Sequence, residues 1–314
     1  MSQANRFDNR PRVKKRLNPL PDNPDKSAKG RFPSWLHRDL PKGGDLWATG
    51  QAVRGKRLHT VCEEAKCPNL TECWSHKTAT FLVMGKECTR SCGFCEIDFN
   101  QTPIPPETDE PGRVAESVKE LGLKHVVITM VARDDLDDGG AFHLVEIMRA
   151  VRATSSDVTI ELLTSDFEGN QKALDLVIAE QPEIFNHNLE TVRELTPRVR
   201  HKATYDRTLG VLDYVRSKRN GIFLKSGLMV GLGETETQVQ QALRDLHSVG
   251  CDIVTIGQYL QASRHKLRVK EFVTPEQFEA YAQYGREIGI KHMYSGPFVR
   301  SSYNAHLVFE EING

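Results

Sequence analysis

Six short apolar runs, each followed by a stretch with helical spacing, constrain this chain more than any other feature. The runs are Thr80–Met84, His125–Val131, Val158–Leu163, Glu183–Phe185, Ile222–Val230 and Asp252–Ile256. They are rich in Val, Ile and Leu and suit strands buried on both faces. Between them lie helical patterns. Asn170 is placed to cap a helix that carries Leu174, Val177 and Ile178, and Pro182 stops it. Val239, Leu243, Leu246 and Val249 form a second stripe, with Gly250 at its end. A β-then-α order repeated about six times predicts a parallel sheet with right-handed crossovers. Six units suit a partial (β/α)6 barrel better than a full eightfold one. Chemistry in such folds sits at the carboxyl ends of the strands, in the loops after each run.

Composition removes several classes of function. Lys and Arg together number 42, as do Asp and Glu, so the net charge is zero. That balance gives no global electrostatic case for a nucleic-acid partner. No stretch approaches the ~18 apolar residues that span a bilayer, and the N-terminus lacks a secretory apolar core. A soluble, cytoplasmic protein with no membrane partner is expected. Residues 1–45 stand apart, with eleven basic and five acidic residues and six of the fifteen prolines. The run Arg12–Arg16 reads as part of a solvated or draping arm, since no aromatic side chains interleave it. Phe32, Trp35, Leu36 and Leu40 are apolar enough to dock that arm on a body.

Six of seven cysteines fall within residues 62–95, as two triplets. Cys62, Cys67 and Cys73 follow a C-x4-C-x5-C spacing; Cys88, Cys92 and Cys95 follow C-x3-C-x2-C. Thiols this dense, without secretory features, read as metal ligands rather than disulfides. Each triplet is one ligand short of an ordinary iron–sulfur cubane. A zinc knot is the alternative, although a structural zinc site wants four ligands and no His lies beside the second triplet. The second triplet directly follows the run Thr80–Met84, and Phe94 precedes its last cysteine. In spacing, aromatic and position it resembles the signature of the radical S-adenosylmethionine (SAM) superfamily. The resemblance implies a [4Fe-4S] cluster on Cys88, Cys92 and Cys95 whose fourth iron takes the amine and carboxylate of SAM. An electron from that cluster would cleave SAM to methionine and a 5′-deoxyadenosyl radical. It also points to Asp138-Gly139-Gly140 as a turn meeting the SAM amino group.

The first triplet lies in Thr60-Val-Cys-Glu-Glu-Ala-Lys-Cys-Pro-Asn-Leu-Thr-Glu-Cys-Trp74. With Arg133-Asp-Asp-Leu, Asp138-Gly-Gly-Ala141, Asn186-His-Asn-Leu-Glu-Thr191, Lys225–Thr235, Ile256–Gln261 and Arg300-Ser-Ser-Tyr303, the chain resembles the lipoyl synthase family through most of its length. That resemblance implies a second, sacrificial [4Fe-4S] cluster on Cys62, Cys67 and Cys73. Ser302 would be its fourth ligand, with Ser301 as the lesser choice. It implies insertion of two sulfurs at C6 and C8 of a protein-bound octanoyl-lysine, consuming two SAM per lipoyl group. Those C–H bonds carry no acidic proton, so general acid–base catalysis cannot reach them. Expected SAM contacts are Thr129, Gly139, Gly140, Asn188, Glu190 and Arg200. Expected partners are octanoylated lipoyl domains of 2-oxoacid dehydrogenases, the glycine-cleavage carrier protein, a ferredoxin or flavodoxin reductant, and iron–sulfur assembly factors. His187 and His265 are candidates to touch substrate or SAM, and equally for structural roles; Cys251 reads as a core thiol.

The expected layout is an arm over 1–50, an auxiliary-cluster segment over 51–78, a radical-SAM partial barrel over 79–296 and a C-terminal segment over 297–314. The chain departs from the family pattern at Ala262, Lys266, Arg268, Asp137 and Ser165. These positions bear on loop shape around the substrate entrance and remove no cluster ligand. Another radical-SAM sulfur inserter and an iron–sulfur carrier or zinc-stapled scaffold remain as alternative readings at this level.

Overall fold

The computed structural model describes residues 32–37, 45–75, 79–218 and 221–302. Leu40, Tyr303 and the run Arg12–Arg16 lie outside them. Ten strands and ten α-helices alternate through the described residues. The strands are β1 (His59–Thr60), β2 (Thr80–Val83), β3 (Glu87–Cys88), β4 (Asp98–Phe99), β5 (His125–Met130), β6 (Thr159–Leu163), β7 (Ile184–Asn186), β8 (Phe223–Val230), β9 (Ile253–Gln258) and β10 (His292–Gly296). The helices are α1 (Asp45–Arg54), α2 (Val61–Glu64), α3 (Leu70–Ser75), α4 (Glu110–Leu121), α5 (Ala141–Thr154), α6 (Gln171–Ala179), α7 (Thr196–Val199), α8 (Tyr205–Lys218), α9 (Glu236–Ser248) and α10 (Pro275–Glu287).

Eight strands form one sheet in the order β1-β2-β5-β6-β7-β8-β9-β10. Every pairing in it is parallel except that of β1 with β2. β1 and β10 are its two edges, so the sheet does not close. All six apolar runs are strands, in sequence order and side by side. The apolar pattern does not reveal the edges: β1 has only two residues, and every residue of β10 is partly exposed.

Local chemistry sets the helix boundaries. Asn170 Oδ1 accepts from the amides of Lys172 and Ala173 to start α6. Thr235 and Gln238 form a reciprocal capping box at α9, and Thr274 caps α10 ahead of Pro275. At the other end of α9, Gly250 turns the chain at φ 73°. One continuous apolar core joins the strands to α4, α5, α6, α8, α9 and α10.

A second, smaller cluster lies at the carboxyl end of the sheet, on the loops after β7, β8 and β9. Val199, Leu232, Tyr259, Val269 and Phe272 form it, and Leu36, Phe94 and Leu267 pack on it. Phe32 meets Phe272 edge-on, with ring centroids 5.6 Å apart at 66°. Phe32 and Leu36 of the arm therefore dock on the face where the loops converge.

Candidate active site

β2 delivers the second triplet. The strand ends where Met84 and Gly85 take positive φ, and β3 follows with Cys88. The loop carrying Cys88, Cys92 and Cys95 is then fixed residue by residue. Thr89 donates from both its amide and its hydroxyl to the Ala132 carbonyl, each at 3.0 Å. The Arg90 amide points at Cys88 Sγ at 3.4 Å. The Arg90 guanidinium grips Asp134, after β5, in a bidentate pair and reaches Asp166, after β6, at 2.7 Å. Burial alone would raise Asp166, but Arg90 outweighs it and holds that carboxyl at about 2. At the far end, the Gly93 amide donates to the Val199 carbonyl, and the Leu267 amide donates back to Gly93, both at 2.9 Å. A Cβ on Gly93 would lie 2.9 Å from Leu267, so glycine permits that contact. Leu267 belongs to the loop after β9, which therefore lies directly on the second triplet.

Burial raises Cys92 to about 11 and Cys95 to about 12. Arg200 opposes the rise at Cys92, while Cys88 and Glu190 add to it. Without a metal cation beside them, burial keeps both thiols protonated. The charges of Arg200 and Glu190 acting on Cys92 also place the loop after β7 beside the triplet.

That loop brings together three of the six expected SAM-contact residues. Asn188 Nδ2 donates to Glu190 Oε1 at 3.1 Å, and Arg200 Nη1 donates to the Asn188 carbonyl at 2.5 Å. Burial raises the Glu190 carboxyl, against the pull of Arg200 and the Asn188 amide. Glu190 sits at φ 69° and is knit to β8: its amide donates to Gly227 and its carbonyl accepts from Met229. A Cβ on Gly227 would come within 2.9 Å of Asn188 Oδ1. Asn188 Oδ1 is buried and has no hydrogen-bond partner among the described residues. Thr129 stands near the end of β5, its hydroxyl donating to the Leu163 carbonyl at 3.0 Å.

Gly139 and Gly140 lead into α5, at φ 62° and 89°. A Cβ on Gly140 would fall 2.3 Å from Met84 Sδ, and the Asp138 carboxylate accepts from the Gly140 and Phe142 amides. Backbone shape alone requires glycine at 140. His187 is buried, with its ring nitrogens on the Thr164 carbonyl and the Thr208 hydroxyl, and burial lowers it to about 4. It is a structural residue. Cys251 is a core thiol, raised by burial to about 12.

The first triplet is built on α2 and α3. Thr60 caps α2, which carries Cys62, and Lys66 takes φ 51° to turn the chain into Cys67. The Cys67 amide donates to the Cys62 carbonyl, and the Cys73 amide donates to Asn69. Burial lifts Cys62 to about 11, with Cys67 the next contributor.

Three contacts between distant segments assemble the site, and sequence spacing signals none of them. Lys66 Nζ pairs with Glu96 Oε1 at 2.6 Å, joining the residue before Cys67 to the residue after Cys95. Asn69 Nδ2 donates to the Phe298 carbonyl at 2.7 Å, joining the first triplet to the C-terminal segment. Asn188 Nδ2 also donates to Ser301 Oγ at 3.2 Å, joining that segment to the loop after β7. Both triplets and Arg300-Ser301-Ser302 thus meet at one end of the sheet. Among the described residues, no three His, Cys, Asp or Glu side chains converge as closely as a single metal ion requires.

The family models agree with this geometry. The Radical SAM superfamily model matches residues 82–246, and the model for the N-terminal domain of lipoyl synthase matches residues 12–67. A lipoyl synthase of Protochlamydia amoebophila is 64% identical over 98% of this chain and 97% of its own length. The chain belongs to the lipoyl synthase family. A member from Chlamydia trachomatis serovar L2 is 53% identical over 91% of this chain and 92% of its own. More distant solved structures share the fold. Streptococcus suis SuiB bound to S-adenosylmethionine superposes with TM-score 0.56 at 12% identity, covering 72% of this chain and 53% of its own. Methylornithine synthase gives 0.51 at 14% identity, covering 72% and 75%. Membership makes the chain an enzyme of the radical SAM superfamily, with a [4Fe-4S] cluster and SAM as its cofactors. No described helix is long and apolar enough to cross a membrane.

Proposed function

We propose that this enzyme inserts two sulfur atoms, at C6 and C8, into an octanoyl-lysine on a lipoyl domain or glycine-cleavage carrier protein, giving lipoyl-lysine. The observation that carries the reading is the Lys66–Glu96 pair, which keeps two distinct thiol triplets on neighbouring loops. Cys88, Cys92 and Cys95 would hold a cluster able to supply the electron for SAM cleavage, and Cys62, Cys67, Cys73 and Ser302 would hold one able to supply sulfur. The protein's part is to hold, orient and exclude water.

Arg90 fixes the second triplet to two strand ends at once through Asp134 and Asp166. Asn188 Oδ1, buried and unsatisfied among the described residues, is an acceptor for the ammonium of a SAM methionyl group. Glu190 and Arg200 supply opposite charges beside it, and Thr129, Gly139 and Gly140 complete the proposed contacts. Ser302 would give a cluster on the first triplet a hard oxygen donor, a weaker partner for iron than thiolate. Phe32 and Leu36 of the arm help roof the loops and shield reactive species from water. Two SAM are consumed per lipoyl group. A ferredoxin or flavodoxin supplies electrons, and assembly factors rebuild the spent cluster.

One anaerobic incubation tests this. The reconstituted enzyme, with about eight iron and eight sulfide per chain, receives SAM, dithionite and an octanoyl-lysyl peptide. 5′-Deoxyadenosine together with a peptide two sulfurs heavier is expected. Deoxyadenosine with an unchanged peptide would refute the substrate assignment.

A further inference from the structure

Asn69 has a place in the site that the cluster ligands do not explain. It lies between Cys67 and Cys73 and is 1% exposed. Its main-chain carbonyl accepts from the Cys73 amide at 2.9 Å, so it sets the turn that presents that thiol. Its side chain points away from its own segment. Nδ2 donates to the Phe298 carbonyl at 2.7 Å, across a sequence separation of 229 residues. Phe298 stands just before Arg300-Ser301-Ser302. On its other side the same segment is fixed to β9: the Gln258 amide donates to Pro297, and a Cβ on Gly257 would lie 1.9 Å from the Val299 carbonyl. The C-terminal segment is thus held by a bare strand end on one side and an amide from the first triplet on the other, with Asn188 bonded to Ser301 beyond them.

We propose that Asn69 is a positioning residue that seats the C-terminal segment, and Ser302 with it, on the first cysteine triplet. The proposal rests on the reading that Ser302 completes the first cluster. The chemistry selects an amide. A neutral donor satisfies the Phe298 carbonyl, whereas a carboxylate of the same shape sets lone pair against lone pair. One buried amide couples the placement of Cys73 to that of the serine, so ligands far apart in sequence reach the same cluster together.

The test uses reconstituted holoenzyme of the wild type, Asn69→Asp, Asn69→Gln, Gly257→Ala and Ser302→Ala. Two quantities are read: hydrogen exchange of the peptide 297–302, and iron retained under a chelator. Deoxyadenosine formed without octanoyl substrate serves as a control on the second cluster. Asn69→Asp is expected to speed exchange at 297–302 roughly tenfold, the size of one lost buried hydrogen bond. It also sheds iron from the first cluster while deoxyadenosine formation persists. Asn69→Gln, which keeps the donor, falls between Asp and wild type. Gly257→Ala dislodges the segment from the β9 side and gives the same iron loss without touching the cysteine loop. Ser302→Ala loses iron without faster exchange. If Asn69→Asp exchanges faster yet holds iron like wild type while Ser302→Ala sheds it, Asn69 does not position the ligand. If Ser302→Ala also holds its iron, the serine reading fails and the proposal falls with it.

Discussion

Lys225→Met tests the most deeply buried ion pair among the described residues. Lys225, on β8, and Glu161, on β6, are both fully buried, with Nζ 2.9 Å from the carboxylate. Asn186 donates to the same carboxylate at 2.7 Å, and His125 approaches it at 3.5 Å. At 2.9 Å and an effective dielectric of ~20, the attraction is about 6 kcal/mol, comparable to the desolvation of the two ions. The intact pair is therefore close to neutral in net stability, but removing one partner is not. Lys225→Met leaves a fully buried carboxylate with one amide and a histidine, which costs about 3–5 kcal/mol. Lys225→Met/Glu161→Gln removes both charges and should recover most of that loss.

The sign of the pH dependence follows from the same contacts. Burial pushes Glu161 up, yet Lys225 and His125 outweigh it and hold the carboxyl at about 2, below its ordinary 4.5. In the wild type its contribution is fully present above pH 4.5 and is lost as pH falls toward 2. In Lys225→Met burial wins instead and the carboxyl takes up a proton, so the gap to wild type narrows as pH falls below neutrality. Chemical unfolding of the single and double variants at pH 7 and pH 5 measures both effects. A single variant within ~1 kcal/mol of wild type at pH 7, or a double variant no better than the single, would refute this account.

Three further outcomes follow from contacts at the site. Arg90→Met leaves Asp134 and fully buried Asp166 to the weaker countercharges of Lys202 and Arg207; the melting temperature should fall on the order of 10 °C. Gly140→Ala forces a Cβ to within 2.3 Å of Met84 Sδ at φ 89°, costing about 2–4 kcal/mol, and Met84→Ala in the same chain should relieve part of that loss. Lys66→Glu should barely change stability, since Lys66 is more than half exposed. It should raise the ratio of deoxyadenosine to sulfur inserted, and Lys66→Glu/Glu96→Lys should restore that ratio.

Sequence periodicity made the central strands legible because β2, β5, β6, β7, β8 and β9 are buried on both faces and spelled in Val, Ile and Leu. β10 escaped because His292, Met293, Tyr294 and Ser295 mix polar and apolar side chains at a half-covered edge. Cysteine spacing revealed the two triplets as local clusters, since each lies within a dozen residues. The contacts that join them were invisible for the opposite reason. Lys66 and Glu96, Asn69 and Phe298, and Asn188 and Ser301 are each partners across long intervals of chain with no pattern between them. The sequence left His187 open between a contact and a structural role, because it lies in a motif beside Asn188 and Glu190; its buried ring bonds the Thr164 carbonyl and the Thr208 hydroxyl.

The Asn69–Phe298 bond also sets an order of events in biosynthesis. At about 5–20 residues per second, a ribosome releases Phe298 roughly 10–45 s after Asn69. Throughout that interval the first triplet is outside the ribosome without the chain end that joins it. The barrel strands, emerging in sequence and pairing with their neighbours, can fold meanwhile. The first triplet therefore waits for its partner segment longer than any strand of the sheet waits for its neighbour.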